Sequence, residues 1–373
     1  MKEKWKSSSY VTIMMTILII LSPLEHVVGV EKILYTFGLL VAAVSIFRRR
    51  IIVMDETCSL LLFVCYAFLT CYWSENPTSF SSLFNTAVMY AFLFLVLQHS
   101  YSVQDYERFK KAFIIQGVVL LLLCFKFGTY KDNRFWIISS TTGADPNYLS
   151  GWFILPVTMA TEYLLKKSNI FIKLILIAEI GLSFYFVAQS GSRSGLICVA
   201  FSVVVYTIWM LRFQIRTKPL YGIIGIAVFI VLISIVIQKI PAYTLYRFTK
   251  ASDAGNMGGR TIIWKNLLNT LLNRPIQLIC GMGQGAAVLY SGAGVVAHNT
   301  YLDIFFENGL IGLLLYLYYC FTAIKGAFKK DSAIGISSVA IGILIFTLSS
   351  TYMRFLIFML FMAGCHTYEK EQQ

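Results

Sequence analysis

The chain is a succession of apolar runs, each near the ~20 residues a helix needs to cross a hydrocarbon core, separated by polar loops. No other feature narrows the fold as far. A backbone in lipid must satisfy its own N–H and C=O groups, which leaves the helix as the spanning element for runs of this length. About twelve runs meet that description. The first six are Tyr10 to Leu24, Ile33 to Phe47, Ile51 to Tyr72, Leu83 to Leu97, Ala112 to Gly128 and Tyr148 to Leu165. Then come Ile170 to Ala188, Gly195 to Leu211, Leu220 to Ile237 and Tyr301 to Ile324, with the shorter Ile334 to Leu348 and Phe355 to Cys365. A soluble helical protein needs long polar faces, which these runs lack. Composition agrees, with 58% hydrophobic residues, 13% charged and a mean hydropathy of +0.72. The expected fold is all-α, a polytopic transmembrane bundle forming one integral membrane domain over 1–373, with 239–299 as a larger extracytoplasmic loop.

Basic clusters recur in every second loop: Lys2, Lys4 and Lys6; Arg48 to Arg50; Arg108, Lys110 and Lys111; Lys166 and Lys167; Arg212, Arg216 and Lys218; Lys325, Lys329 and Lys330. Retention of Lys and Arg on the cytoplasmic side then puts both termini in the cytoplasm and the polar outer loops outside the plasma membrane. The net charge of +13 is mostly topology. A nucleic-acid surface is excluded, because the clusters are short, separated by spans and not interleaved with aromatics. The first run has no small-residue cleavage site before Pro23, Glu25 and His26, so it reads as a retained span. The eight cysteines contain no C-x-x-C pair, so neither a zinc site nor a disulfide framework is expected.

Chemistry is then sought among polar residues at the outer side or within membrane depth, where they are costly and usually functional. Trp73-Ser-Glu-Asn-Pro77 reads as a turn with a structural role. Thr142-Gly-Ala-Asp-Pro-Asn147 precedes an apolar run, so Asp145 or Asn147 either caps a helix or contacts substrate at its N-terminus. Arg193, in Gln189-Ser-Gly-Ser-Arg-Ser-Gly195, enters a span between small residues that let a large polar ligand approach; snorkelling to headgroups is the alternative. The loop of roughly 60 residues is too long for a plain connection. It carries Gly258-Gly-Arg-Thr-Ile-Ile-Trp-Lys265, which opens a helix with apolar residues at Ile262, Ile263, Leu267, Leu268 and Leu271, and Gly281-Met-Gly-Gln-Gly285. Those last glycines suit tight turns and do not form a phosphate loop. The loop ends with His298, Asn299, Tyr301, Asp303 and Glu307 at the start of a span. Their spacing lets a carboxylate orient the histidine for acid-base chemistry, or lets His298 or Asn299 simply cap the helix.

In this order the motifs resemble those of the O-antigen ligase and O-antigen polymerase superfamily. They are Asp145-Pro146-Asn147, Arg193, Arg260 with Trp264, Gly281 with Gly283, and His298-Asn299-Thr300-Tyr301 followed by Glu307 and Gly309. The resemblance covers about the C-terminal two thirds; the first four spans offer little beyond hydropathy. It implies a GT-C-like membrane glycosyltransferase that takes an undecaprenyl-diphosphate-linked glycan donor and a glycan acceptor, among membrane lipids and in company with a flippase and a chain-length regulator. In that scheme Arg193 and Arg260 hold the diphosphate and His298 is the base. Glu307 or Asp303 sets the tautomer of His298, and Asn299, Tyr301, Asp145 and Asn147 contribute to the pocket; no metal or cofactor is required. The expected function is polymerisation of lipid-linked repeat units into capsular, exopolysaccharide or O-antigen chains, with ligation to lipid A core or another acceptor as the alternative. A flippase or secondary transporter is the rival class. It predicts paired broken helices in two halves, and the sequence gathers its polar residues at one face instead.

Overall fold

The structure, a computed structural model, describes residues 5–6, 9–28, 31–46, 55–138, 143–166, 169–217, 242, 246, 260–328 and 355–368. The expected runs Leu220 to Ile237 and Ile334 to Leu348 lie outside the described residues, as does most of 239–259. The helices are α1 (Ser9–Leu21), α2 (Glu25–Val28), α3 (Glu31–Ile46), α4 (Asp55–Thr70), α5 (Ser79–Leu97), α6 (Val103–Phe127), α7 (Pro146–Trp152) and α8 (Ile154–Leu165). They continue with α9 (Ile170–Gln189), α10 (Arg193–Thr217), α11 (Arg260–Leu272), α12 (Pro275–Cys280), α13 (Ala287–Tyr290), α14 (Thr300–Phe328) and α15 (Phe355–Gly364).

The protein is mostly helical, and among the described residues Ile170–Gln189 and Thr300–Thr322 are long and apolar enough to cross a membrane. Tyr10–Leu24, Thr57–Trp73, Ala87–Leu97 and Arg193–Val204 are shorter apolar helices. The sixth run is divided at Phe153 into α7 and α8. Pro156 explains the division: its missing N–H is harmless in the first turn of a new helix and disruptive inside a continuous one.

On α9 the usual amphipathic arrangement is reversed. Phe171, Leu174, Ile175 and Ile177 are exposed, while Glu179 and Ser183 are buried. A soluble helix would present the opposite faces to water, and this pattern is that of a helix solvated by lipid. Helix association in lipid draws on close packing and interhelical hydrogen bonds. Gln116 Nε2 on α6 accordingly donates to the Ile19 carbonyl at 2.8 Å and to Ser22 Oγ at 2.9 Å, and Ser59 on α4 pairs with Thr322 on α14 at 3.1 Å. Gly117 allows Glu179 to lie against α6, since a side chain there would strike the carboxylate.

Two small sheets, absent from an all-α expectation, mark opposite ends of α6. At its start, β1 (Trp5–Lys6), β2 (His99–Ser102) and β6 (His366–Tyr368) form a parallel sheet in the order β1-β2-β6. Hydropathy windows miss such strands because each is only a few residues long and pairs with distant segments. Ser102 also begins α6 through a capping box with Asp105, the Asp105 N–H donating to Ser102 Oγ at 3.1 Å. Tyr101, Phe109 and Phe361 meet edge to face with centroids 5.2 to 5.6 Å apart, packing α15 against this end. At the far end, about 37 Å away by helix rise, β3 (Gly128–Lys131), β4 (Arg134–Ile138) and β5 (Gly143–Ala144) form an antiparallel sheet.

A buried ionic network fastens α6 to α8 near the first end. Lys110 Nζ, 2% exposed, lies 2.9 Å from Glu107 and 2.8 Å from Glu162, and Lys166 reaches Glu162 at 2.9 Å. Breaking a buried pair leaves an uncompensated charge, so Lys110→Met is expected to cost about 3 kcal/mol. Denaturant titration of the purified protein in detergent checks this, and Lys110→Met with Glu162→Leu is expected to recover part of the loss.

Candidate functional site

The far end of the bundle is built around a break in α14. Gly309 has φ +65° and ψ −168°, which interrupts the helix and releases carbonyls of the preceding turn. They are taken up by the glycine loop: Met282 N–H donates to the Phe306 carbonyl at 2.8 Å and Gly283 N–H to the Glu307 carbonyl at 2.9 Å. The loop turns through positive φ at Gly281, Gly283 and Gly285, so the glycines read as turn residues do make turns. A second reason for them is proximity. A side chain at Gly281 would meet the Glu307 carbonyl, and one at Gly283 would meet Ser74.

Residues 73–76 brace the same loop from outside. Trp73 Nε1 donates to the Gly281 carbonyl at 3.1 Å, Ser74 Oγ to the Gln284 carbonyl at 2.7 Å, and Asn76 Nδ2 to the Gly285 carbonyl at 2.7 Å. Thr70 Oγ1 donates to Asn308 Oδ1 at 2.9 Å. A second small core lies here, in which Ile263, Leu267 and Leu271 of α11 pack with Met282, Ala286, Ala287, Ala297 and Phe306. Ile262 and Leu268, also expected on the apolar face, are exposed.

On this frame His298 is held in a left-handed backbone conformation, φ +52°. The residue before it is clamped on both sides: Ala297 N–H donates to Asp303 Oδ1 at 2.8 Å, and Trp264 Nε1 donates to the Ala297 carbonyl at 2.8 Å. Trp264 lies one turn after Arg260, the first residue of α11, so the clamp also sets the start of that helix beside the histidine. Partial burial and the positive charge of Arg260 lower the His298 pKa from the usual imidazole value, while the negative charge of Asp145 opposes them. Three of the sequence-expected residues from distant segments are thereby brought together.

Asp145 is the N-cap of α7, its Oδ1 accepting from Asn147 N–H at 2.8 Å. Gly195, in the first turn of α10, packs against Ser150, where any side chain would collide with Ser150 Oγ. That approach puts the turn carrying Arg193 beside α7. Arg134, outside every motif in the sequence, links the two: its Nε donates to the Ser190 carbonyl at 2.9 Å and its Nη2 to Asn147 Oδ1 at 3.2 Å. No sequence signal singles it out, since it stands in a short strand with no periodic pattern around it.

The other expected residues occupy supporting positions. Asn299 Oδ1 accepts from Tyr301 N–H and Leu302 N–H at 3.1 Å each, so it caps α14. The Tyr301 ring packs on Tyr316, centroids 6.1 Å apart. Asp303 is 1% exposed and Glu307 3%, and Glu307 Oε2 is buried with no hydrogen-bond partner among the described residues. The carboxylate whose charge reaches His298 is thus that of Asp145, some 150 residues earlier in the chain.

The break at Gly309 yields a direct expectation. Gly309→Ala would place Cβ on the Ile279 carbonyl in a conformation L residues avoid. The full-length protein is expected to lose its monodisperse detergent-solubilised form on size exclusion, whereas Gly181→Ala, where Cβ meets nothing within 4 Å, retains it.

Residues 180–317 match the family model Wzy_C, described as O-Antigen ligase. The matched segment contains Arg193, Arg260, His298 and Glu307; Arg134, Asp145 and Asn147 precede it. A solved structure described as structural coordination of polymerization and crosslinking by a peptidoglycan synthase complex aligns at 14% identity, covering 83% of this chain and 94% of its own, with a TM-score of 0.46. No curated protein matches the chain.

Proposed function

Because residues 180–317 carry the O-antigen ligase family pattern, the resemblance of the motifs to the O-antigen ligase and polymerase superfamily holds, and from that premise we propose a membrane polysaccharide polymerase. Its donor is a glycan linked to undecaprenyl diphosphate and its acceptor a hydroxyl of a second lipid-linked repeat unit. The observation that carries the reading is the convergence of Arg260 and Asp145 on His298, with Arg193 entering α10 beside α7.

In the reaction an acceptor oxygen bonds to the donor's anomeric carbon while the bond from that carbon to the phosphate oxygen breaks. The electron pair leaves with the diphosphate, and the hydroxyl proton passes to His298. A diphosphate needs oriented cations, and the planar fork of arginine suits it. Arg193 and Arg260 stabilise the leaving charge as fixed cations do at other phosphate leaving groups. A base must be neutral to accept a proton, and the depressed pKa of His298 keeps it so at neutral pH. Asp145 supplies the opposing charge that moderates this depression, while Asp303 acts through the backbone segment it holds. The grouping of residues 5–6, 99–102 and 366–368 at one end and of the site at the other supports a cytoplasmic location for both termini and an outer-face site.

Ligation to lipid A core or another acceptor is the second reading, favoured by the description of the matching family model. Both use the same donor half-reaction. Cells of the source organism carrying His298→Ala, with protein level checked by a tag, separate them. Single-repeat glycans support the polymerase, long lipid-linked chains that never reach their acceptor support the ligase, and an unchanged length profile overturns the assignment of His298.

The pH dependence follows from the same electrostatics. Activity that needs neutral His298 is lost as pH falls through its folded pKa, so the acid limb of kcat/KM is expected below the ~6.5 of a free imidazole. Asp145→Asn keeps a capping side chain but removes the charge that raises this pKa, and is expected to move the limb to still lower pH. A limb that moves upward would contradict the assignment.

A further inference from the structure

Arg134 makes its bonds from a strand that is firmly seated. On β4 the alternate residues Phe135 and Ile137 are 5% and 0% exposed, and the Phe135 ring packs on Phe186 of α9 with centroids 5.0 Å apart. The intervening side chains face the other way, so the half-buried guanidinium emerges where α7 and the end of α9 meet. One of its N–H groups goes to each segment, the Ser190 carbonyl at 2.9 Å and Asn147 Oδ1 at 3.2 Å. Ser190 begins the turn through Gly191, φ +63°, and Ser192 that leads into Arg193. Asn147 is the second residue of α7. Beside the close approach of Gly195 to Ser150, a rigid fork therefore bridges two motifs whose Asn147 and Arg193 are 46 residues apart in the chain.

The contact also decides which side of the Asn147 amide does what. A guanidinium only donates, so the amide atom facing it is the oxygen and the NH2 is turned away from Arg134. Asn147 is thus fixed as a donor beside the turn of Arg193. Were the amide free to flip, it would present an acceptor to an anion half of the time, with repulsion in place of attraction.

We propose that Arg134 is a positioning residue for the anionic lipid-linked donor, holding Asn147 with its NH2 toward the diphosphate and fixing its distance from Arg193. The inference rests on the diphosphate reading of the site. Lysine at 134 keeps the charge but offers a compact point charge in place of a fork and does not span both acceptors. A role in the general field and a role in positioning therefore predict different results for Arg134→Lys.

The test is binding of undecaprenyl diphosphate, without glycan, to the full chain in nanodiscs by titration calorimetry, with thermal unfolding measured alongside. Arg134→Lys and Asn147→Ala are each expected to weaken binding about tenfold, and the double variant no more than either alone, because the two residues act as one unit. The thermal midpoint stays at the wild-type value. Asn147→Ala leaves the bond from Arg134 to Ser190 in place, so it keeps the question open to measurement if the Arg134 variant does not fold. Wild-type binding by Arg134→Lys or by Asn147→Ala overturns the inference, as does an additive, about hundredfold loss in the double variant. Arg193→Gln and Arg260→Gln separate this from its premise. If both bind as wild type, the diphosphate reading itself fails; if they lose binding while Arg134→Lys and Asn147→Ala do not, the positioning role alone fails.

Discussion

The seam between the glycine loop and the broken turn of α14 is the constraint on which the rest of the site depends. Irregular backbone near membrane depth survives only where protein satisfies its polar groups, because lipid supplies no hydrogen bonds. Gly309 releases carbonyls, and Met282 and Gly283 return N–H groups to them. The loop in turn needs its own carbonyls satisfied, which Trp73, Ser74 and Asn76 do from another helix hairpin. Thr70 closes the arrangement by donating to Asn308 Oδ1 in the same turn of α14. The segment leading to His298 is built on this seam and is held at its end by the bonds of Trp264 and Asp303 to Ala297.

From that frame the site is assembled out of helix beginnings. Asp145 starts α7, Arg193 starts α10, Arg260 starts α11, and Asn299 caps α14 immediately after His298. Helix N-termini carry partial positive charge and unsatisfied N–H groups, so they suit an anion. Arginines add full charges in a region partly sheltered from water, where they act more strongly than on an open surface. The same shelter and the charge of Arg260 lower the pKa of His298, so a cation proposed to favour an anionic leaving group also favours the neutral form of the proposed base. One electrostatic arrangement thus serves both halves of the proposed transfer.

Away from the site the bundle uses polar groups sparingly and indoors. The ionic network around Lys110 and the bonds of Gln116 tie helices together where their neighbours are apolar. The outward faces of α9 are left to large aliphatic side chains. In water this would be an aggregation hazard; in lipid it is the solvated surface.

The spans of α9 and α14 and the family resemblance of the motifs were legible in the sequence, because hydropathy over about twenty residues and short ordered motifs are local properties. Capping was legible only as an alternative, by Asp145 or Asn147 and by His298 or Asn299, whereas the turns at Gly281 and Gly283 were read directly. Tertiary structure alone decided the partners. Spacing along α14 suggested that Glu307 or Asp303 would face His298, but Asp303 is engaged by the Ala297 N–H and Glu307 is buried beside the broken turn and the glycine loop. The charge that reaches the imidazole comes from Asp145, and the guanidinium that joins Asn147 to the Ser190 turn comes from a strand no hydropathy window detects. Periodicity reports which face a residue shares with its own helix, whereas a hydrogen bond or a Coulomb contact across 50 or 150 residues depends on how helices pack.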